Sequence, residues 1–289
     1  MKLLRLFALM GQLAGIFLIQ SHIDEQFGKY RATEEILYVD NGKLLKRAML
    51  GFENLGADLY WLRTVQYFGR KRLMVTTKNY VLLAPLLRVT VDLDPEMKIA
   101  FSYGATFLAE PFPMGAGLPS KGIEIIDEGI RNHPGYWRFY LDKGFIYSEH
   151  LGDYKKAASV FLEGSKLEGA PYWMVAIAGR TLTKGGERET SRILWNGLYK
   201  SAETEQQREN AATHLQQLDA LDEMDSYNEV VTKYHERTGE FPRRWQDLIG
   251  SGFLAEVPTD PTDIPYVLDP ESHRVVLRRD SGLGGLPTR

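Results

Sequence analysis

Six histidines, His22, His133, His150, His214, His235 and His273, are the side chains of this sequence best suited to moving a proton or holding a metal near neutral pH. No two of them stand four residues apart, and none belongs to a His-Glu-x-x-His pattern, so no helix face presents a pair of imidazoles to a zinc ion. Each therefore reads as a surface or helix-end histidine. No Gly-x-Ser-x-Gly elbow is present to raise a serine nucleophile. The chain has no cysteine, which removes thiol catalysis, disulfides and thiolate-held metals together. Met114-Gly115-Ala116-Gly117-Leu118-Pro119-Ser120-Lys121-Gly122 has the glycine content of a phosphate loop. Such a loop needs Gly-Lys-Ser/Thr opening a helix after a strand, whereas Ser-Lys-Gly here follows a predicted helix, so the segment reads as an insertion between two helices. The glycine-rich stretch 281–287 reads as a flexible end and not as a dinucleotide fingerprint.

With little chemistry to position, the elements themselves carry the information. Three times a small residue is followed four positions later by a large apolar one and three after that by glycine: Gly122/Ile126/Gly129, Ala157/Phe161/Gly164 and Thr190/Leu194/Gly197. The copies are offset by 35 and 33 residues. Positions i, i+4 and i+7 share one helix face, so each triplet forms a stripe against which another helix can pack closely. A recurrence near 34 residues predicts helical hairpins that bury their apolar faces against their neighbours. In the middle unit the partner helix is 136–150, with Tyr140, Gly144 and Tyr147, and Asp153 is the N-cap of the helix that follows.

Tyr140, Gly144, Tyr147, Gly152-Asp153-Tyr154, Ala157, Phe161 and Gly164 resemble the motif of the tetratricopeptide repeat family, with a turn one residue longer and a closing proline delayed to Pro171. The next unit fits with Met174, Ala178, Gly185, Thr190, Leu194 and Gly197, and the preceding one with Gly104, Gly122, Ile126, Gly129 and Pro134. A helix over 81–91, ending at Asp92-Leu93-Asp94-Pro95, resembles the tail of a more degenerate copy. The resemblance covers roughly residues 52–200 and implies a mainly α, helical-hairpin repeat solenoid. In that family the first helices line a concave groove, which implies Arg138, Leu141, Phe145, Glu149, Tyr172, Val175 and Leu182 as partner-contacting side chains.

Composition suits a helical body, with 44% hydrophobic and 25% charged residues. A formal net charge of −3 leaves no electrostatic footprint for nucleic acid. Lys2 and Arg5 precede the apolar run 6–19, and Asp24 and Glu25 follow it. This asymmetry makes residues 1–22 an uncleaved inner-membrane anchor with the remainder on the extracytoplasmic, periplasmic side. The alternatives are a signal peptide, for which Ile19-Gln20-Ser21 is a permissive cleavage site, and a helix buried in the repeat stack. After a lead-in over 23–51, the helix over 52–68 is apolar on almost every side. Leu55, Leu59, Leu62 and Gln66 run down one face, and the helix must be buried on several sides or pressed on a partner, which makes Tyr60 and Trp61 contact candidates. Asp58 and Arg63 within it are a core ion pair, exposed charges or contacts to a partner.

Beyond the repeats, Thr204-Glu205-Gln206-Gln207 is a capping box opening a connecting helix in 201–225, and Ser226-Tyr227-Asn228-Glu229 is a second one, opening a helix that Gly239 ends in a left-handed cap. The runs 264–268 and 274–277 should pair as a small hairpin across a turn at Asp269-Pro270. The order helix, Thr-Gly-x-Phe-Pro, short helix, Val-Pro-x-Asp-Pro, Pro-Tyr-x-Leu and final strand over 226–278 resembles the C-terminal α+β part of the major pseudopilins of type II secretion. No prepilin processing site is visible, and some two hundred residues separate this module from the N-terminal segment. Related modules hold calcium on loop carboxylates, which the resemblance would place on Asp260, Asp263 and Asp269; proline-bounded aspartates also simply build turns. Residues 279–289 read as a flexible tail.

The expected function is a non-catalytic scaffold or adaptor outside the cytoplasmic membrane that helps assemble a pilus- or secretion-type envelope complex. The expected partners are protein, and the membrane through the N-terminal segment. No cofactor, metal, nucleic acid or small-molecule substrate is expected. The alternative is an accessory subunit of a membrane enzyme or transporter.

Overall fold

The structure, a computed structural model, describes residues 41–73 and 79–286, together with positions 12, 15–19, 21–22 and 39. Most of the expected anchor over 1–22 lies outside the described residues. Among the described residues no helix is long and apolar enough to cross a membrane. The fold is mainly helical, with one small two-stranded antiparallel sheet. It divides into two compact units.

The first unit takes residues up to 73 and 79–94. It holds α1 (Gly42–Ala48), α2 (Glu53–Leu73) and α3 (Leu83–Leu93). Asn41 caps α1 by accepting a hydrogen bond from the Leu44 amide at 2.9 Å, leaving fewer orphan donors at the helix start. The α3 helix is buried on nearly every side, through Leu83, Leu86, Leu87, Val89, Val91 and Leu93. The inward side of α2, Gly56, Ala57, Thr64, Tyr67 and Phe68, packs toward it. The Tyr67 hydroxyl donates to the Asn79 carbonyl and accepts from the Leu82 amide, both at 3.3 Å, joining the end of α2 to the start of α3.

The second unit, from Pro95 onward, is a succession in which each helix packs on the next: α4 (Lys98–Ala109), α5 (Pro119–Asn132), α6 (Trp137–Phe145), α7 (Tyr154–Gly164), α8 (Trp173–Lys184), α9 (Arg188–Lys200) and α10 (Glu205–Thr238). Glycines set the closest approaches. A Cβ on Gly122 would lie 2.7 Å from the Ala105 carbonyl oxygen, and one on Gly164 would lie 2.5 Å from the Tyr140 Cβ. Gly144 rests on the Phe161 ring, and Gly179 on the indole of Trp195. Asp153 caps α7 as expected, its carboxylate accepting from the Lys156 amide at 3.0 Å. Between α6 and this cap the chain makes a π-helical turn over Ile146–His150.

The third stripe requires correction. Thr190 and Gly197 are exposed, and nothing lies within 4 Å of a Cβ placed on Gly197. The buried residues of α9 are Ser191 and Trp195, one position further along, and Ser191 lies 34 residues after Ala157. Ser191 hydrogen-bonds the Gly179 carbonyl at 2.8 Å, so it does what the small residue of a stripe does and adds an anchor.

The second capping box is also corrected. α10 runs unbroken for 34 residues through Ser226–Glu229, starting at the Thr204 cap and ending at Gly239 with φ 77°. Mid-helix Asn228 serves the sheet instead, its side-chain oxygen accepting from the Val275 amide at 2.8 Å. After α11 (Trp245–Gly250), β1 (Val267–Leu268) pairs antiparallel with β2 (Val275–Val276), Val267 opposite Val276. Their core is Val231, Trp245, Leu248, Tyr266 and Val275, tied by the Trp245 indole donating to the Tyr266 carbonyl at 2.9 Å.

Candidate functional site

Two adjoining cavities of about 690 and 580 Å³ open along α8, both lined by Ile177, Arg180 and His214. Tyr172, Trp173, Ala176, Ile177 and Arg180 follow one another at helical spacing, so a single face at the start of α8 walls the first cavity and shares Ile177 and Arg180 with the second. The first cavity is closed by Trp195 and Leu198 of α9 and by Gln206, Asn210 and His214 of α10. The second is closed by Phe145 and Glu149 from α6 and its π turn, and by Gln217 of α10. A third, of about 540 Å³, lies between α4 and α6 and is lined by Lys98, Tyr103, Tyr136, Arg138, Leu141 and Asp142 among others.

Of the side chains expected to meet a partner, Phe145 and Glu149 line the second cavity, Tyr172 the first, and Arg138 and Leu141 the third. Tyr172 is 65% exposed. Phe145 stands edge-on to Phe161, centroids 5.4 Å apart, and Glu149 faces Lys184 at 3.4 Å. Val175 is half-buried and lines none of the three cavities. Leu182 is a correction. It is 4% exposed and packs with Ala157, Ala158, Phe161 and Ala178, because it sits on the α8 face opposite Arg180. Tyr60 and Trp61 are half-buried in α2 and belong to the other unit. Asp58 of that helix is exposed.

The residues not foreseen are Ile177, Arg180, His214 and Gln217. His214 stacks on Trp195 with ring centroids 4.0 Å apart, and its Nδ1 meets the Gln217 side-chain oxygen at 2.6 Å. The Gln217 amide nitrogen donates to the carbonyls of Gly284, at 3.0 Å, and Leu283, at 3.4 Å. That use of the nitrogen leaves Gln217 only its oxygen to offer, so Nδ1 of His214 carries the proton. Burial, reinforced by the nearby Arg180 charge, holds the His214 pKa below the ordinary histidine value, against the opposing hydrogen bond to Gln217. In the third cavity, burial raises the Asp142 carboxyl above its usual range, opposed by a hydrogen bond from Ser102 and the charge of Arg138.

Residues 279–286, expected as a flexible end, are tied down at the second cavity. Leu283 is 1% exposed, Gly284, Gly285 and Leu286 line the cavity, and the Ser281 hydroxyl donates to Asp260 at 2.5 Å. The Asp260 carboxylate is thereby fully engaged. Its other oxygen accepts from the Thr262 hydroxyl and from the amides of Thr262 and Ile264. Burial would raise its pKa, but these hydrogen bonds outweigh it and hold the group below the usual carboxylate range. Asp269 accepts from the Ser272 amide and hydroxyl, as in a turn. Among the described residues no group of three or more His, Asp or Glu side chains is placed to hold a metal ion.

The phosphate-loop-like segment is likewise occupied with its own backbone. The amides of Met114 and Gly115 bond to the Pro111 carbonyl, and those of Ala116, Gly117 and Leu118 to Phe107, Glu110 and Leu108. Donors already paired inside the chain cannot cradle a phosphate. What the site offers is a channel of mixed lining, in which aromatic and aliphatic side chains such as Tyr172, Trp173, Ile177 and Phe145 stand among polar ones such as Arg180, Gln206, Asn210 and Gln217. No family model, no curated protein and no solved structure matches the chain.

Proposed function

We propose that the second unit is a tetratricopeptide-type repeat scaffold that binds a protein partner along the channel formed by α6, α8 and α10, and that it works without catalysis. The observation that carries this reading is the continuity of the two cavities through Ile177, Arg180 and His214. Exposed aromatics with an arginine between them are the side chains that anchor interfaces. Three of the titratable groups in the channel are engaged in structure: Glu149 pairs with Lys184, and His214 is stacked and hydrogen-bonded. The N-terminal apolar run and the pseudopilin-like sequence order over 226–278 support a setting outside the cytoplasmic membrane, in assembly of a pilus- or secretion-type complex.

The test is co-purification of the full chain after mild detergent extraction, compared with Tyr172→Ala and Arg180→Glu. Both side chains are exposed, so both variants should keep the wild-type melting temperature while losing a discrete partner. Retention of every partner by both would contradict the channel as the binding surface. Pilus-type partners would support the proposed setting, and an enzyme core would support the accessory-subunit alternative.

A further inference from the structure

The outward face of α2 is apolar where a helix of a water-soluble domain is usually polar. Phe52 is 66% exposed, Leu55 56%, Leu59 58% and Leu62 54%, and at helical spacing they form one stripe that continues through Gln66 to exposed Arg70 and to Leu73, 84% exposed. The aromatic side chains of the same helix are less exposed: Tyr67 and Phe68 are buried and Tyr60 and Trp61 are half-buried. The stripe is thus aliphatic apart from Phe52, without the exposed tyrosines and tryptophans that anchor protein interfaces. Leu44, Leu50 and Val81 in the same unit are exposed as well.

Charge separates this stretch from the rest of the chain. Residues 41–94 carry nine Lys and Arg against four Asp and Glu, whereas residues 95–289 carry 22 against 29. This stretch is therefore net positive in a chain whose formal net charge is −3, and its Lys43, Arg47 and Arg70 are exposed. Apolar side chains on one face and basic residues around them are what an anionic bilayer surface takes up. Only 21 residues separate Asn41 from the apolar run 6–19.

We propose that the Phe52–Leu55–Leu59–Leu62 face of α2 lies on an anionic lipid surface, its side chains at the headgroup boundary and Arg70 and its basic neighbours against lipid phosphates. The inference needs neither the channel nor its partner. It gives the first unit its own role, holding the chain close to the bilayer.

The cysteine-free sequence makes the test direct. Leu59→Cys and Leu62→Cys in the full chain, each labelled with an environment-sensitive dye, are mixed with vesicles of phosphatidylethanolamine and phosphatidylglycerol containing lipids with a nitroxide on the acyl chain. The expected result is a blue shift with loss of emission to the lipid nitroxide at both positions, weakened in phosphatidylcholine vesicles and by Arg70→Glu, and absent for a dye at exposed Glu163. A dye that stays solvent-like when the chain is vesicle-bound overturns the proposal. So does a blue shift that lipid nitroxides leave untouched, which would show a protein segment, a second copy or the chain's own N-terminal part covering the face. Circular dichroism of the labelled variants verifies that they are folded, and failure of either outcome leaves the channel reading intact.

Discussion

Gly164 and Gly197, which the sequence pattern pairs but the structure places in different surroundings, should respond oppositely to the same added methyl group. Gly164 has the Tyr140 Cβ 2.5 Å and the Met174 Cε 2.8 Å from where its own Cβ would be, and it is buried. Gly164→Ala should cost about 1 to 3 kcal/mol through overpacking and lower the melting temperature. Gly197 meets nothing, so Gly197→Ala should gain up to about 1 kcal/mol from helix propensity alone. Thermal melts of the two variants check both signs. His214 supplies a second residue-scale expectation. Its folded pKa lies below the unfolded value, so unfolding takes up a proton once the pH drops beneath about 6.5. Stability is therefore unaffected above that pH and falls as the pH drops through it, until the folded form also protonates. His214→Phe should flatten that acid slope; an unchanged slope in denaturant titrations between pH 7 and 5 would contradict this account.

At the scale of elements, α9 and α10 are joined by a ladder in which Arg188 meets Asp222 and Asp225 at 2.9 and 2.8 Å, and Arg192 meets Asp219 and Asp222. The aspartates are half exposed, so each pair should be worth about 1 kcal/mol or less and weaken with salt. Arg192→Ala should thus destabilise measurably at low ionic strength and little in high salt, as urea midpoints would show. Helix existence was legible here because periodicity of apolar residues is local information. Register was less so. In α9 the stripe is displaced by one residue because Trp195, being larger than Leu194, takes the buried position against Gly179. On α8, Leu182 was misplaced because sequence spacing alone does not say which of two apolar faces meets the core. The capping-box signature at Ser226 misled for a related reason. Between Glu205 and Thr238 there is no Gly or Pro to stop a helix, and Asn228 could be spent on Val275 only because the sheet folds back on α10. His214 and Gln217 were invisible as site residues, since their partners Trp195 and Leu283 are distant in sequence.

At the scale of the molecule, the chain separates into a basic unit with an outward apolar helix face and an acidic succession of helices with a channel. The sequence made the helices of the second legible through their apolar periodicity, and signalled the first as a helix apolar on nearly every side without showing which face stays uncovered. The central claim is that the channel along α8 receives a protein partner. Its most direct test is a photocrosslinking amino acid placed in the full chain, in its native cells, at Tyr172 or Ile177 in the channel and at Ile193, which is 71% exposed on α9 and lines neither channel cavity. The account predicts discrete protein adducts from the two channel positions and none of the same species from Ile193. No adduct from the channel, or the same adducts from all three positions, would contradict it.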